Sequence, residues 1–452
     1  MTYQESVRYL YSLGNEIQTA KLGLERITAL LDALGNPQRD GRFIHVAGTN
    51  GKGSTCAMIE AGLRTSGLRT GLYTSPHLNE PTERIRIGGA PISQAQFAAV
   101  FEVVHTTAER MLRAGTLDLH PTYFETVTAM AFVAFRNARV DQVVLETGLG
   151  GRLDATNVVS PNLCVITPID LDHQQFLGDT IEQIAAEKAG ILKPGVPAVF
   201  SRQLPAAAGV LRSYAQGPCT WTEDWPVVKL VLSARDSSFE LSRPLPDGRG
   251  SVTVGSVTAG SVTRDAVARD AFTEPRASAS GPRPLHITCP LAGEHQVENA
   301  RTAAIALREL GISPAGIAAT EWPGRLEQVS TSPEIILDGA HNPAGVRALV
   351  EYIRRFYADR KIWLVYGVMR DKAVAEMAHI LFPLAHRVIL TTPANSRAMP
   401  PEMIPAPGSV ITHNVAEAVG LATLEAQAQR GAAVFITGSL FVVGEARALL
   451  VQ

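Results

Sequence analysis

Apolar residues in the first 34 positions recur at helical spacing, at Val7, Leu10 and Tyr11 and then at Ile27, Leu30 and Leu31, with a break at Leu22-Gly23-Leu24-Glu25-Arg26. The pattern predicts two helices and a loop. An apolar run from Phe43 to Ala47 predicts a strand, and Ser54 to Ser66 the helix after it. Strand-like runs follow at 69–73, 142–145 and 162–169, and amphipathic stretches at 93–113 and 122–137 bracket a turn around Gly115 and Pro121. Thr180 with Gln183 has the form of a capping box, opening an apolar stripe of Ile181, Ile184 and Ala185. Residues 227–243 and 285–290 read as strands, and a helix runs from about 291 to 310. The pattern weakens after Gly311 and Pro314, then alternates cleanly: strands at 334–337, 362–366, 387–391 and 433–437, helices near 344–357, 372–382, 415–429 and 440–450. Such alternation predicts an α/β fold with mainly parallel strands, and the weak stretch near 320 divides it into units of 1–319 and 320–452.

At 452 residues the chain exceeds what one core holds, in agreement with two or three domains. With 41 basic against 43 acidic residues there is no global field to attract nucleic acid or an anionic membrane, so any anion site must be local. No apolar stretch reaches 18 residues, and the first residues mix charge with polar groups, which argues against a membrane span or a signal peptide. Four cysteines, 56, 164, 219 and 289, form no Cys-x-x-Cys pair and read as reduced thiols of a cytoplasmic protein. One tract stands apart: GSVTV-GSVTA-GSVTR from Gly250, then a Pro-, Ser-, Ala- and Arg-rich stretch. It reads as a mobile insertion over about 247–284.

The chemistry gathers at predicted strand ends. Val46-Ala47-Gly48-Thr49-Asn50-Gly51-Lys52-Gly53-Ser54 joins a strand to a helix and has the makings of a phosphate cradle: glycines to curl the backbone, a helix start, a lysine and a hydroxyl. It departs from GxxxxGK[ST], with Val46 at the first glycine position and Gly53 between Lys52 and Ser54. An ordinary glycine turn is the plainer reading. Ser75, Glu146-Thr147-Gly148 and Asp170-Leu171-Asp172-His173 also follow strands, at the edge where parallel sheets bind ligands. On spacing alone Lys188, near a helix end, reads as a solvated lysine favoured by the helix dipole. The second unit has no phosphate-binding glycine fingerprint, Gly438-Ser439-Leu440 being too short.

Three blocks in order, GTNGKGS at 48–54, Glu146-Thr147-Gly148-Leu149-Gly150-Gly151-Arg152-Leu153-Asp154-Ala155-Thr156-Asn157 and Asp338-Gly339-Ala340-His341-Asn342-Pro343, resemble the signatures of the folylpolyglutamate synthase/dihydrofolate synthase family of the Mur ligases. Ser75-Pro76-His77-Leu78, Asp172-His173, Glu187-Lys188-Ala189-Gly190, Tyr366-Gly367-Val368-Met369 and Asp371-Lys372 support it. The resemblance implies a P-loop-type N-terminal ATPase domain with a mainly parallel sheet and a smaller Rossmann-like α/β C-terminal domain. It implies an ATP-dependent amide ligase that adds L-glutamate to dihydropteroate and/or folates through an acyl phosphate, with one or two Mg2+; a monomer is expected, and the charge and hydropathy above leave no nucleic-acid or membrane partner. By the same likeness Thr49, Asn50, Gly51, Lys52, Gly53, Ser54, Asn299, Arg325 and Asp338 bind ATP, and Ser54, Ser75, Glu146 and His173 hold the metal. Lys52, His173 and Lys188 are the catalytic set, Lys188 as an N-carboxylysine, a reversal of its solvated reading. Leu22, Gly23, Thr122, Tyr123, Phe124, Glu125, Leu153, Asp154, Ala155 and His341 match substrate positions.

Plainer readings stand beside these. Arg325 also suits a surface arginine after Pro-Gly, Asp338 a strand-end cap, His341 part of an Asx-type turn, and Asp154 a salt bridge to Arg152. Two whole-chain rivals remain at this point: a Mur-type ligase acting on a cell-wall nucleotide precursor, and a P-loop regulatory NTPase.

Overall fold

The computed structural model describes residues 1–14, 23–242 and 284–451. Leu22 and all but the last residue of the GSVT-bearing insertion lie outside the described residues. Among the described residues the strands form three sheets. The largest runs β4-β3-β2-β5-β1-β6-β7-β8, built from β1 (Phe43–Ala47), β2 (Thr70–Tyr73), β3 (Ile85–Ile87), β4 (Ala90–Pro91), β5 (Gln142–Glu146), β6 (Leu163–Ile166), β7 (Ala198–Phe200) and β8 (Cys219–Trp221). From β2 to β8 it is parallel; β3 and β4 form an antiparallel margin. β1 is buried at every position because helices cover both faces. On one side α1 (Tyr3–Ser12), α2 (Glu25–Ala33), α4 (Gln94–Arg113) and α5 (Tyr123–Ala138) pack on Phe43, Tyr73, Val143 and Leu145. On the other, α3 (Lys52–Thr65) and α9 (Glu294–Glu309) pack on Ile44, Val46, Leu72 and Val144. Three further helices, α6 (Gln174–Leu177), α7 (Ile181–Ala189) and α8 (Pro205–Tyr214), follow β6 and β7.

The run read as one strand over 227–243 is a hairpin. β9 (Val227–Leu232) and β10 (Ser237–Leu241) pair antiparallel, with β11 (Leu285–Cys289) on the other side of β10. Ser233 makes the turn: its hydroxyl donates to Asp236 Oδ1 at 2.6 Å and accepts the amide of Arg235 at 3.1 Å.

The last sheet runs β12-β13-β17-β14-β15-β16: β12 (Glu327–Thr331), β13 (Glu334–Leu337), β14 (Ile362–Tyr366), β15 (Arg387–Leu390), β16 (Val410–Ile411) and β17 (Ala433–Thr437). All but β12 are parallel. Ile336, Leu364 and Phe435 face α10 (Pro343–Phe356) and α11 (Val374–Leu381), while Ile335, Val365 and Val434 face α12 (Val415–Gln427) and α13 (Leu440–Leu450), the two-residue alternation a doubly covered sheet requires. The register Tyr73↔Leu145, Val46↔Glu146 and Ala47↔Ile166 brings the ends of β2, β5, β1 and β6 to one edge. No described helix is long and apolar enough to cross a membrane.

Candidate active site

The cradle is shaped by what surrounds its glycines. Gly48 has φ +147°, and a Cβ there would lie 1.9 Å from Thr167 Oγ1; Gly51 has φ +81°, and its Cβ would lie 2.2 Å from Asn299 Oδ1. Gly51 caps α3 without a side-chain hydrogen bond, and among the described residues the amides of Lys52, Gly53 and Ser54 have no acceptor. Free amides at the start of a 14-residue helix are an anion site. Not every loop amide joins them. Thr49 and Asn50 instead donate to the carbonyl of Pro168, at 2.9 and 3.2 Å. The buried Ser54 hydroxyl accepts from Gln296 Nε2 at 3.3 Å, and Gln296 Oε1 accepts from Asn299 Nδ2 at 2.9 Å, so α9 brings Asn299 to the loop.

Three titratable groups gather around Lys52. Glu146, at the end of β5, is buried; one carboxylate oxygen accepts the amide of Ser75 at 3.1 Å. Burial lifts its carboxyl to about 7, against the pull of Lys52, the Ser75 amide, Arg325 and Arg84. His173 begins α6 in the left-handed region, φ +52°. Burial pushes its imidazole down to about 4 despite Asp172, with Lys372, Lys52 and Lys188 adding to the effect, so the ring is neutral and a ring nitrogen is available as a ligand. Lys188 is not solvated. In the last turn of α7 it is 4% exposed, Nζ donates to Gly48 O at 2.8 Å, and burial with the Lys52 charge brings its amine down to about 7.

The substrate-type segments meet beside this edge. Arg26, next to the Gly23 loop, pairs with Glu125 at 3.1 Å; Thr122 and Glu125 form the capping box of α5; and Phe124 lies against Gly148, where a Cβ would come within 2.4 Å of the ring. Tyr123 is buried beneath the Arg84 guanidinium. Leu153 is half-buried and Ala155 buried. The Asp154–Arg152 bridge is absent, because Arg152 pairs with Glu187 at 2.8 Å. Asp154 is instead claimed by its own loop: Oδ2 accepts the amides of Gly148 and Leu149, and Oδ1 the amide and hydroxyl of Thr156. With four donors its carboxylate shapes the loop.

From the second unit comes Arg325, half-buried, donating to Gly324 O at 3.0 Å, its charge acting on both Asp338 and Glu146. It is not a surface arginine. Asp338 does cap its strand, accepting the amides of Leu326 and Ala340, and burial lifts its carboxyl to about 6 against Arg325. His341 donates from Nδ1 to Gly339 O at 2.7 Å, which leaves Nε2 as the acceptor of a neutral ring. Asn342 caps α10 and donates to Asn50 Oδ1 at 2.9 Å. Lys372 donates to Asp172 at 2.9 Å with both side chains nearly buried. Burial opposes the Asp172 charge, but His173, Lys372 and His341 together hold its carboxyl well below the usual range.

Sequence reasoning gave no site role to that ion pair, to Gln296, or to Arg86 and Trp322. The Arg86 guanidinium lies 5.2 Å from the Trp322 ring centre, and a Cβ on Gly53 would stand 3.0 Å from the same indole. With Thr74, His77, Arg325 and Arg447 they line a cavity of ≈ 210 Å³ at the junction of the two units. Only the glycine-lysine loop and the strand-end acids had a local signal.

Comparison with known proteins matches residues 46–200 to the Mur ligase middle domain and 324–440 to the Mur ligase, glutamate ligase domain. Folylpolyglutamate synthase of Lacticaseibacillus casei is 36% identical over 88% of each chain. Dihydrofolate synthase/folylpolyglutamate synthase of Mycobacterium tuberculosis is 35% identical over 94% of this chain and 89% of its own. The solved M. tuberculosis folylpolyglutamate synthase complexed with ADP superposes with a TM-score of 0.84 at 32% identity, covering 100% of this chain and 98% of its own. Likeness of this extent, running through both units, leaves no room for a regulatory NTPase or a cell-wall ligase. It is the alignment, together with a cradle open to phosphate and completed from the second unit, that makes this chain a member of the folylpolyglutamate synthase/dihydrofolate synthase family of Mur ligases, ATP-dependent enzymes that form amide bonds.

Proposed function

We propose that the chain joins the amine of L-glutamate to a carboxyl of dihydropteroate and/or a folate, with ATP converted to ADP and phosphate. The observation that carries this is the convergence on Lys52 of Glu146 and Lys188 from one unit, with the Arg325 charge from the other reaching Glu146. A carboxylate acylates poorly because its leaving group would be oxide. Transfer of the γ-phosphoryl group makes an acyl phosphate, and the glutamate amine, losing a proton, displaces phosphate to leave the amide. Positioning and charge are what such a transfer asks of a protein. The α3 amides and Lys52 hold the phosphates, Thr49, Asn50, Asn299 and Asp338 border the nucleotide, and Arg325 neutralises charge from across the junction.

The donors fit Mg2+. Glu146 has one oxygen without a hydrogen bond among the described residues, Ser75 lies against the other, and His173 is neutral; imidazole is a less usual partner than oxygen for this ion. Ser54 adds a hydroxyl at the phosphates, and a carbamate on Lys188 would supply a further anion for a second ion. Bound there, Mg2+ would offset the phosphate charge. The junction cavity, with Arg86 and Arg447 in its wall, suits a carboxylate-bearing substrate, and His341, beside Gly339, offers a further polar contact for it. Tyr123 and Phe124 give the pterin an aromatic wall, Gly23, Leu153 and Ala155 its rim. That both halves of the site come from one chain supports a monomer as the active unit, and three buried free thiols with one exposed suit the cytoplasm.

The test is mass analysis after incubation with ATP, Mg2+ and L-glutamate plus either dihydropteroate or a tetrahydrofolate. Gain of one glutamyl unit on at least one acceptor, with stoichiometric ADP, is expected; gain on neither overturns the proposal.

A further inference from the structure

Away from the catalytic edge, His105 and Glu109, one turn apart on α4, meet His120 from the loop before α5. One ligand atom from each, all within 4.8 Å of one another, makes this the one such group of three among the described residues. All three are partly exposed, which leaves an entry path. One ring nitrogen in the group, His105 Nδ1, is buried without a partner among the described residues. His120 Nδ1 stands 2.8 Å from Pro121 O, and a carbonyl only accepts, so Nδ1 carries a proton and Nε2 is the ring nitrogen left to take a metal. Nε2 is 3.8 Å from the Glu109 carboxylate. The Tyr9 hydroxyl is 3.1 Å from each of them and has one proton to give. The His105 ring is fixed by stacking on Phe101 at 7° and by the edge of Tyr9.

We propose that His105, Glu109 and His120 bind a divalent cation of the zinc class. Two imidazoles and a carboxylate are a zinc set, and tetrahedral zinc with bonds of about 2.0–2.1 Å needs ligands roughly 3.3 Å apart, close to the 3.8 Å already present between Glu109 and His120. Each further element has a second role. The carbonyl of Pro121 fixes the His120 tautomer, and Tyr9 gives its proton to Glu109, the outer hydrogen bonds that metal ligands require. The ion would tie α1, α4 and the start of α5 together, two residues before Thr122, the first residue of the substrate-type segment 122–125.

The experiment uses the full chain, freed of metal and carrying Cys219→Ser so that the exposed thiol does not compete, in excess Mg2+ to fill the catalytic edge. Zinc alone is titrated against a chromophoric chelator. One equivalent is expected to bind, with an upward shift in melting temperature, and Co2+ in its place should give the visible bands of a four-coordinate ion. His105→Ala and His120→Ala should each lose that equivalent and the shift, and Tyr9→Phe should weaken binding about tenfold or more. A wild-type chain that takes up no stoichiometric zinc, or histidine variants that keep the equivalent, would overturn the proposal. Circular dichroism of the zinc-free variants checks that they are folded.

Discussion

Among the described residues, the Lys188 amine has one hydrogen-bond acceptor, the carbonyl of Gly48, and a second cation nearby in Lys52. Both burial and that charge favour the neutral amine, whose lone pair can attack CO2 with loss of one proton to give a carbamate. Activity should therefore fall in CO2-depleted buffer and return with bicarbonate. The amine gains its proton as pH drops through about 7, so the bicarbonate requirement should grow from pH 8 to pH 6. Lys188→Arg, which cannot be carbamylated, should lose roughly 100-fold or more in kcat without rescue, the scale of losing one preorganised charged group. Rates indifferent to CO2 across that range would refute it. At this scale the sequence is legible where a polar residue follows an apolar run: Glu146 is visible because Val143, Val144 and Leu145 precede it. Asp154 is not, because whether a carboxylate faces a ligand or its own turn depends on the path of the loop. Neither its spacing from Arg152 nor its neighbours discloses the four donors it takes from Gly148, Leu149 and Thr156.

α3 opens the proposed nucleotide half of the site, and its first turn carries no side-chain cap. A methyl group on Gly51 would meet Asn299 and would also place an L-residue at φ +81°. Gly51→Ala should raise the KM for ATP about tenfold or more, 1.4 kcal/mol being a factor of ten. Adding Asn299→Ala should relieve the clash but not the backbone strain, of order 1–3 kcal/mol, so recovery stays partial. Full wild-type kinetics in the single variant would show that the loop tolerates a side chain there. Long elements such as α4, α5 and the parallel strands are readable because burial on one or both faces leaves a periodic trace. β3, β4, β12 and β16 are not. Strands of two to five residues at a sheet margin, several half exposed, carry too few periods to stand out from loop sequence. The hairpin at 227–241 merged into one run for a related reason: the turn is only four residues long.

Across the whole molecule, among the described residues, three polar links beside the cradle join the units: Asn342 to Asn50 and to Asp172, and Lys372 to Asp172. Removing Lys372 would leave a buried carboxylate beside His173. Lys372→Ala should therefore raise the KM for ATP and lower kcat by roughly 5- to 150-fold, the usual span of coupling between sites, with faster tryptic cleavage near 320–326. Lys372→Arg should recover part of both. Unchanged proteolysis with unchanged kinetics would mean that the pair does not hold the units together. Asp172 and Lys372 each fell in a block the sequence singled out, but that they pair was not readable along the chain, since 200 residues separate them. That the guanidinium of Arg325 and the amides of α3 belong to different units has one more consequence. A nucleotide resting on the first unit alone would lack the Arg325 charge, for which water is a poor substitute. The split would make phosphoryl transfer on the cradle depend on both units at once, since neither carries the whole set of charges.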